Sequence, residues 1–185
     1  MTIDPETIAA LIEKHGALQN PREVAHLLRF LEQHPPRLIV EVGVWQGGNA
    51  AILKTFFPDA RIIGVDELDT GSPRVPLLAD NIRRFGIELV TGNSNLPATA
   101  ERVRAMIPAG QKADYLFIDA AHDYDSVKRD FAVWSPLANF VGFHDVHNPE
   151  VLRFWMEVCA FDTDHARPAA LWKEMDGHGI GVVCA

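Results

Sequence analysis

Four residues in the second half of the chain have the types that acid–base or metal chemistry needs. Asp119 and His122 stand three apart, and His144 and Asp145 are adjacent. Each pair follows a short apolar run, Tyr115 to Ile118 for the first and Leu137 to Phe143 for the second. If the two runs are neighbouring strands, Asp119 and Asp145 face one cleft. Two carboxylates that close repel each other unless positive charge lies between them. A hard divalent cation held through oxygens, magnesium or manganese, is the expected partner. His144 is a candidate third ligand, although imidazole suits transition metals better than magnesium. His147 is a weaker candidate, and Asp119 has the alternatives of capping its turn or bonding a cofactor's amino end.

A second stretch reads as a binding loop. Residues Arg37 to Asn49 run from a short apolar segment, Leu38 to Val42, through a glycine-bearing turn, Gly43 to Gly48, into a helix over Asn49 to Phe57. Strand, glycine turn and helix in that order form the crevice where open α/β sheets bind ligands. The spacing is Glu41-x-Gly43-x-x-x-Gly47. Trp45 stands where a dinucleotide fingerprint has its middle glycine, and it would crowd a pyrophosphate. Glu41 would repel one, and suits a ligand carrying an amino or sulfonium charge. Asp66 ends a second apolar run, Ala60 to Asp66, where a carboxylate typically accepts ribose hydroxyls; Glu67 and Asp69 are less favoured alternatives. Asn93 and Ser94 follow a third run, Ile87 to Thr91, and are also candidates for a helix cap.

These residues need a scaffold of alternating strands and helices. Helical patterns follow each of the five apolar runs, and Ala169 to Trp172 and Ile180 to Cys184 read as a terminal hairpin around Asp176-Gly-His-Gly179. Alternation of this kind demands a mainly parallel sheet with right-handed crossovers. Two helices precede the first strand. Asp4-Pro5 and Asn20-Pro21 mark their starts, and Glu23 lies three past Asn20 as in a capping box. One domain over 1–185 is expected, with 1–36 a helical cover and 37–185 a cofactor-binding core. Asp125 or Ser126 is expected to cap the helix carrying Val127, Phe131 and Trp134.

Composition narrows the partners. With 185 residues, 48% hydrophobic and 23% charged, the chain can build a core. A net charge of −8 without a basic run argues against nucleic acid or an anionic membrane surface. Cys159 and Cys184 form no C-x-x-C pair, and the first residues lack a signal-peptide pattern, so a cytoplasmic protein is expected. Exposed apolar faces on the N-terminal helices would favour a homo-oligomer. His15, His26, His34, His165 and His178 are expected to be surface or packing residues.

The pattern Glu41 to Gly47 resembles motif I of class I S-adenosylmethionine-dependent methyltransferases. Phe117-Ile-Asp-Ala-Ala-His-Asp-Tyr-Asp-Ser-Val-Lys-Arg-Asp-Phe131, with Gly142-Phe-His-Asp-Val146, resembles the metal-dependent sugar and small-molecule O-methyltransferases and the neighbouring cephalosporin-hydroxylase-like group. The resemblance covers roughly Leu38 to Val183. It implies a Rossmann-like, doubly wound α/β fold with a seven-stranded, mostly parallel sheet closed by a C-terminal antiparallel hairpin. It implies S-adenosylmethionine as cofactor, with Glu41, Gly43 and Gly47 at its amino-acid end, Asp66 at its ribose, and Asn93 and Ser94 at its adenine. It further implies a small-molecule hydroxyl as methyl acceptor, Asp119 and Asp145 as metal ligands, and His122 as general base. His144 departs from the pattern, since an acid is usual there. Three other readings stay open: methyl transfer without a metal, a non-catalytic or partner-completed cofactor-binding domain, and a metal-dependent hydroxylase with His122, His144 and Asp119 as a facial triad. An NAD-binding module is disfavoured by Trp45.

Overall fold

A computed structural model describes residues 1–160 and 167–185; His165 lies outside them. Five parallel strands carry the chain from residue 38 to residue 143: β1 Leu38–Val42, β2 Arg61–Asp66, β3 Glu88–Thr91, β4 Ala113–Ile118 and β5 Ala138–Phe143. β6 Arg167–Trp172 and β7 Ile180–Cys184 form the closing hairpin. The sheet order is β3-β2-β1-β4-β5-β7-β6, with β7 antiparallel to both β5 and β6. β1 is buried along its whole length, as its apolar composition requires of a strand covered on both faces.

Among the described residues, seven α-helices cover the sheet: α1 Pro5–His15, α2 Pro21–Gln33, α3 Gly48–Phe56, α4 Val75–Phe85, α5 Pro97–Met106, α6 Tyr124–Trp134 and α7 Pro149–Ala160. One core joins Val40, Val42, Leu116 and Val141 to Val103, Trp134 and Trp155 of α5, α6 and α7. The other joins Ile39, Tyr115, Phe117 and Val182 to Ile8, Leu28 and Ile52 of α1, α2 and α3. The N-terminal helices are therefore a layer of the core against the middle of the sheet. Of their apolar stripes, Ile8, Val24, Leu27, Leu28 and Leu31 are buried and Leu11 and Ile12 are half-buried.

Two expectations about helix ends give way to other partners. Asp123, not Asp125 or Ser126, caps α6, its carboxylate accepting from Ser126 N at 3.0 Å. The capping box at α2 is only half made. Asn20 Oδ1 accepts from Arg22 N at 2.9 Å, but Glu23 turns inward and is fully buried. Its carboxylate accepts from Glu174 N, His178 N and Gly179 N, at 3.0, 3.1 and 2.9 Å. A buried carboxylate with three backbone donors costs far less than an unpaired one, so the loop between β6 and β7 satisfies Glu23 better than its own helix end does.

β1 and β4 are neighbours, and their outgoing connections leave toward opposite faces of the sheet. That divergence opens a crevice beyond their carboxyl ends. Gly43 N donates to Val65 O at 2.9 Å and Asp119 N to Val42 O at 2.8 Å, which fixes both chains where they leave the sheet.

Candidate active site

Two adjoining cavities occupy the crevice. The first, about 520 Å³, runs from Gly43 and Trp45 past Asp66, Glu67 and Arg74 to the Asn93–Asn95 loop. The second, about 470 Å³, is roofed by Ala17, Leu18 and Gln19 of the α1–α2 connection and floored by Glu41, His144 and Asp145. Gly43, Trp45, Asp119 and Ala120 line both. Molecules in the two cavities would therefore meet at Asp119.

The glycine loop is held from several directions. Asp66 Oδ2 accepts from Val44 N and Trp45 N, each at 2.9 Å. Arg74 grips both oxygens of Asp66, at 2.6 and 3.1 Å, donates to Glu67 O, and lies over the Trp45 ring. Asn81 of α4 donates to Gln46 O and to His15 O. Trp45 sits at φ 52, a left-handed conformation rare for a bulky residue and characteristic of functional loops. The Asn93–Asn95 loop is fixed from α6, since Trp134 Nε1 donates to Ser94 O and Asn95 Nδ2 to Asp130 Oδ1.

The expected site residues are distributed between the cavities. Gly43, Asp66, Asn93, Ser94 and Asp119 line the first; Glu41, Gly43, Asp119, His122, His144 and Asp145 line the second. Gly47 lines neither cavity: at φ 73 it turns the chain into α3 and backs onto Asn81. Asn93 does not cap α5; its side chain accepts from Asn95 N within the loop. Asp66 is already occupied by four donors, whereas Glu67 beside it is exposed. Glu41 lies beneath the loop with Oε1 bonded to Asn49 Nδ2 at 2.7 Å and Oε2 unpartnered. Burial pushes its carboxyl up to about 8, so it is neutral at pH 7 until a cation reaches it.

His144 brings the two aspartates together. Its Nδ1 lies 2.9 Å from Asp119 Oδ1 and 2.9 Å from Asp145 Oδ2. His122 Nε2 lies 3.0 Å from Asp145 Oδ2 and 3.7 Å from Asp119 Oδ1. Ligand atoms of Asp119, His144 and Asp145 all fall within 4.8 Å of one another. Asp145 has φ 57, a left-handed turn that Asp tolerates better than most residues. Gln19 Nε2 donates to Asp119 Oδ2 at 2.9 Å, tying the roof to the site. His147 is turned away, its Nδ1 against Gly177 O. His178 is exposed, as expected, and it also borders the second cavity: its Nδ1 lies 3.0 Å from Asp145 Oδ1. Arg74, Gln19 and His178 carried no signal in the sequence, because each reaches the site from a loop whose position depends on packing elsewhere.

The aspartates set the charge state of the histidines. Asp119 and Asp145 hold His122 up to about 10. Burial works against the charge of His144, but the same aspartates outweigh it and raise that imidazole to about 10 as well. Asp145 is correspondingly held well below the usual carboxylate range; burial opposes this, and the bonds from His122 and His144 prevail. A histidine raised in the fold stabilises fully below its unfolded value of about 6.5 and stops doing so as pH rises through the folded value. Metal-free protein is therefore expected to lose thermal stability as pH rises from about 6.5 to about 10, and above about pH 9, where Glu41 is ionised, the loss belongs to the histidines. His144→Asn should flatten that slope. An unchanged unfolding midpoint across the range would mean that the imidazoles are neutral.

A model of the family described as a methyltransferase domain matches residues 40–148. The chain belongs to that family. The match spans β1 to the start of α7 and so contains most of both cavities. A search of curated proteins finds no significant match. Among solved structures, a provisionally assigned caffeoyl-CoA O-methyltransferase from Staphylococcus aureus superposes with a TM-score of 0.71 at 13% identity, covering 98% of this chain and 91% of that one. The O-methyltransferase TomG from Streptomyces achromogenes, in complex with S-adenosylmethionine, gives 0.68 at 16%, covering 98% and 88%. An O-methyltransferase from Bacillus cereus in complex with S-adenosylhomocysteine gives 0.70 at 16%, covering 97% and 91%. These likenesses establish the seven-stranded methyltransferase fold. No helix among the described residues is long and apolar enough to cross a membrane.

Proposed function

We propose that this methyltransferase-domain protein moves a methyl group from S-adenosylmethionine to a hydroxyl oxygen of a small molecule, with a divalent cation assisting. The observation that carries this reading is the meeting of the two cavities at Asp119. One cavity has the strand-end position of a cofactor site, and the other holds the aspartates and histidines. Solved neighbours of the same fold hold S-adenosylmethionine or its product, which supports the cofactor assignment.

Two carboxylates and an imidazole within 4.8 Å fit a divalent cation. Such an ion would polarise the acceptor hydroxyl and ease loss of its proton. The chain's own residues bind and orient. In this reading, Glu41 meets the cofactor's cationic end from below the glycine loop, and Asn93 and Ser94 border its base. Ribose hydroxyls fall to Asp66, if Arg74 yields, or to Glu67. Trp45 and Ala120 line both cavities, and an in-line transfer between them would draw much of its rate from alignment. His122 Nε2 is the proposed proton acceptor. Raised to about 10 it is protonated at neutral pH, so it serves as a base only when other positive charge stands against Asp119 and Asp145.

Calorimetric titration with S-adenosylmethionine, S-adenosylhomocysteine and NADH tests the central claim. Binding of the first two in the micromolar range, with none of NADH, is expected. Absence of S-adenosylmethionine binding would remove the reading. Arg74→Gln releases Asp66 and is expected to tighten S-adenosylhomocysteine binding a few-fold; weaker binding would make Arg74 itself a ligand contact.

A further inference from the structure

The second cavity has two unlike sides. On one, the polar side chains are committed to one another. Asn49 Nδ2 donates to Glu41 Oε1 at 2.7 Å, and Gln19 Nε2 to Asp119 Oδ2 at 2.9 Å. His122 Nε2, His144 Nδ1 and His178 Nδ1 lie 3.0, 2.9 and 3.0 Å from oxygens of Asp145. Among the described residues that line this cavity there is no lysine or arginine, and residues 161–166 contain neither. A guest with many hydroxyls would leave most of them unpaired here, and an anionic guest would meet no unpaired cationic side chain. Either loss is costly once water is displaced.

The other side is apolar. Ala17 and Leu18 of the roof line it with Val44, Trp45 and Ala120. Leu18 is 64% exposed and Trp45 46%, so both leave large apolar surface in water beside the cavity. Neither sits on a loose segment. A Cβ on Gly48 would stand 2.4 Å from Ala17 N, which sets the roof directly on the glycine loop, and Asn81 holds the two together through His15 O and Gln46 O. Apolar side chains on a braced rim, above a few convergent polar groups, have the make-up of a small-molecule site.

We propose that the methyl acceptor is an uncharged molecule whose reacting hydroxyl sits on an apolar body, and that Leu18 and Trp45 select it. The hydroxyl goes to the floor at Asp119 and Asp145, and the body lies along Leu18 and Trp45. Free sugars are disfavoured by the lining, as are hydroxyls carried on a phosphate, a nucleotide or coenzyme A. The inference rests on the methyl-transfer reading above and specifies its acceptor. In that transfer the hydroxyl oxygen bonds the methyl carbon as the carbon–sulfur bond breaks. The electron pair of that bond returns to sulfur, and the hydroxyl proton leaves to His122.

Three probes test it: 2-naphthol; 6-hydroxynaphthalene-2-sulfonate, which keeps the hydroxyl and adds an anion at the far end; and glucose. Each is titrated by calorimetry into the full chain saturated with S-adenosylhomocysteine in manganese chloride. Naphthol is expected to bind about 10-fold or more tightly than either of the others. Leu18→Asn should weaken naphthol binding roughly 3- to 10-fold and leave S-adenosylhomocysteine binding unchanged, since Leu18 lines the second cavity and not the first. Trp45→Gln should weaken naphthol by a similar factor. Leu18→Lys should weaken naphthol and tighten the sulfonate several-fold, a reversal that damage to the fold would not produce; circular dichroism confirms the fold of each variant. Glucose or the sulfonate binding as tightly as naphthol, no naphthol binding, or naphthol binding undiminished in Leu18→Asn and Trp45→Gln would overturn the proposal. Repeating the titrations without S-adenosylhomocysteine, and titrating that product alone, separates the two claims. Product binding with no preference among the probes strikes the acceptor assignment alone. A naphthol preference without product binding strikes the methyl-transfer reading, and with it the role of acceptor.

Discussion

Glu41→Gln is expected to make the protein more stable at pH 7, by about 3 kcal/mol. Glu41 is 1% exposed, with one carboxyl oxygen on Asn49 and the other unpartnered. Burial raises it from 4.5 to about 8. The folded state therefore holds a proton that the unfolded chain releases. Stability from this group is complete below about pH 4.5 and is lost as pH rises through 8, the opposite of the usual acid. At pH 7 the unfolded chain gains about 2.5 pH units of ionisation that the folded chain forgoes, or about 3 kcal/mol at 1.36 kcal/mol per unit. Glutamine removes that gain and keeps the oxygen that Asn49 uses. In a domain of this size the unfolding midpoint should rise by roughly 6–12 °C. The same variant should bind S-adenosylmethionine more weakly, because the carboxylate is no longer there to meet its positive charge. A midpoint that is unchanged or lower at pH 7 would show that Glu41 is ionised in the fold. A destabilising acid beneath a ligand loop is what a functional role predicts, since perturbed groups concentrate at such sites.

Gly43→Ala is expected to cost about 3 kcal/mol or more and to abolish cofactor binding. Gly43 has φ +89, and a Cβ there would stand 2.2 Å from Asp119 O, 2.5 Å from Asp119 C and 2.6 Å from Ala120 Cα. All three are backbone atoms, so no side chain can swing aside. The left-handed conformation contributes roughly 1–2 kcal/mol and the overlap roughly 1–3 kcal/mol. Gly86→Ala is the control. It too has positive φ, +64, but nothing lies within 4 Å of its added Cβ, so its cost is confined to the conformational part. Urea unfolding of both variants compares them directly. Equal losses would mean that the ends of β1 and β4 can separate freely, and that the junction of the two cavities is softer than its geometry implies.

The order of elements, the parallel sheet with its antiparallel hairpin, and the strand ends at which Gly43, Asp66, Asp119 and Asp145 stand are all legible along the chain. Those features are local. Apolar runs of four to seven residues, glycine turns and Asn-Pro or Asp-Pro helix starts act over a few residues, so they are legible without knowing what packs where. Which of these residues share a cavity depends on how distant segments pack. Glu41 reads as a strand-end acid meeting a cation, yet the register of β1 between β2 and β4 sinks it beneath the glycine loop, paired with Phe117. Asp66 reads as a free ribose acceptor, yet Arg74 and two loop amides fill it. Glu23 satisfies the spacing of a capping box, yet a hairpin loop 151 to 156 residues away in sequence offers it three donors. His178 reads as part of a hairpin turn with no motif around it, and the antiparallel pairing of β7 with β5 carries it to Asp145. The physical reason is the same in each case. Buried polar groups must find partners, and when several can supply them, the one chosen depends on long-range packing that no local spacing encodes.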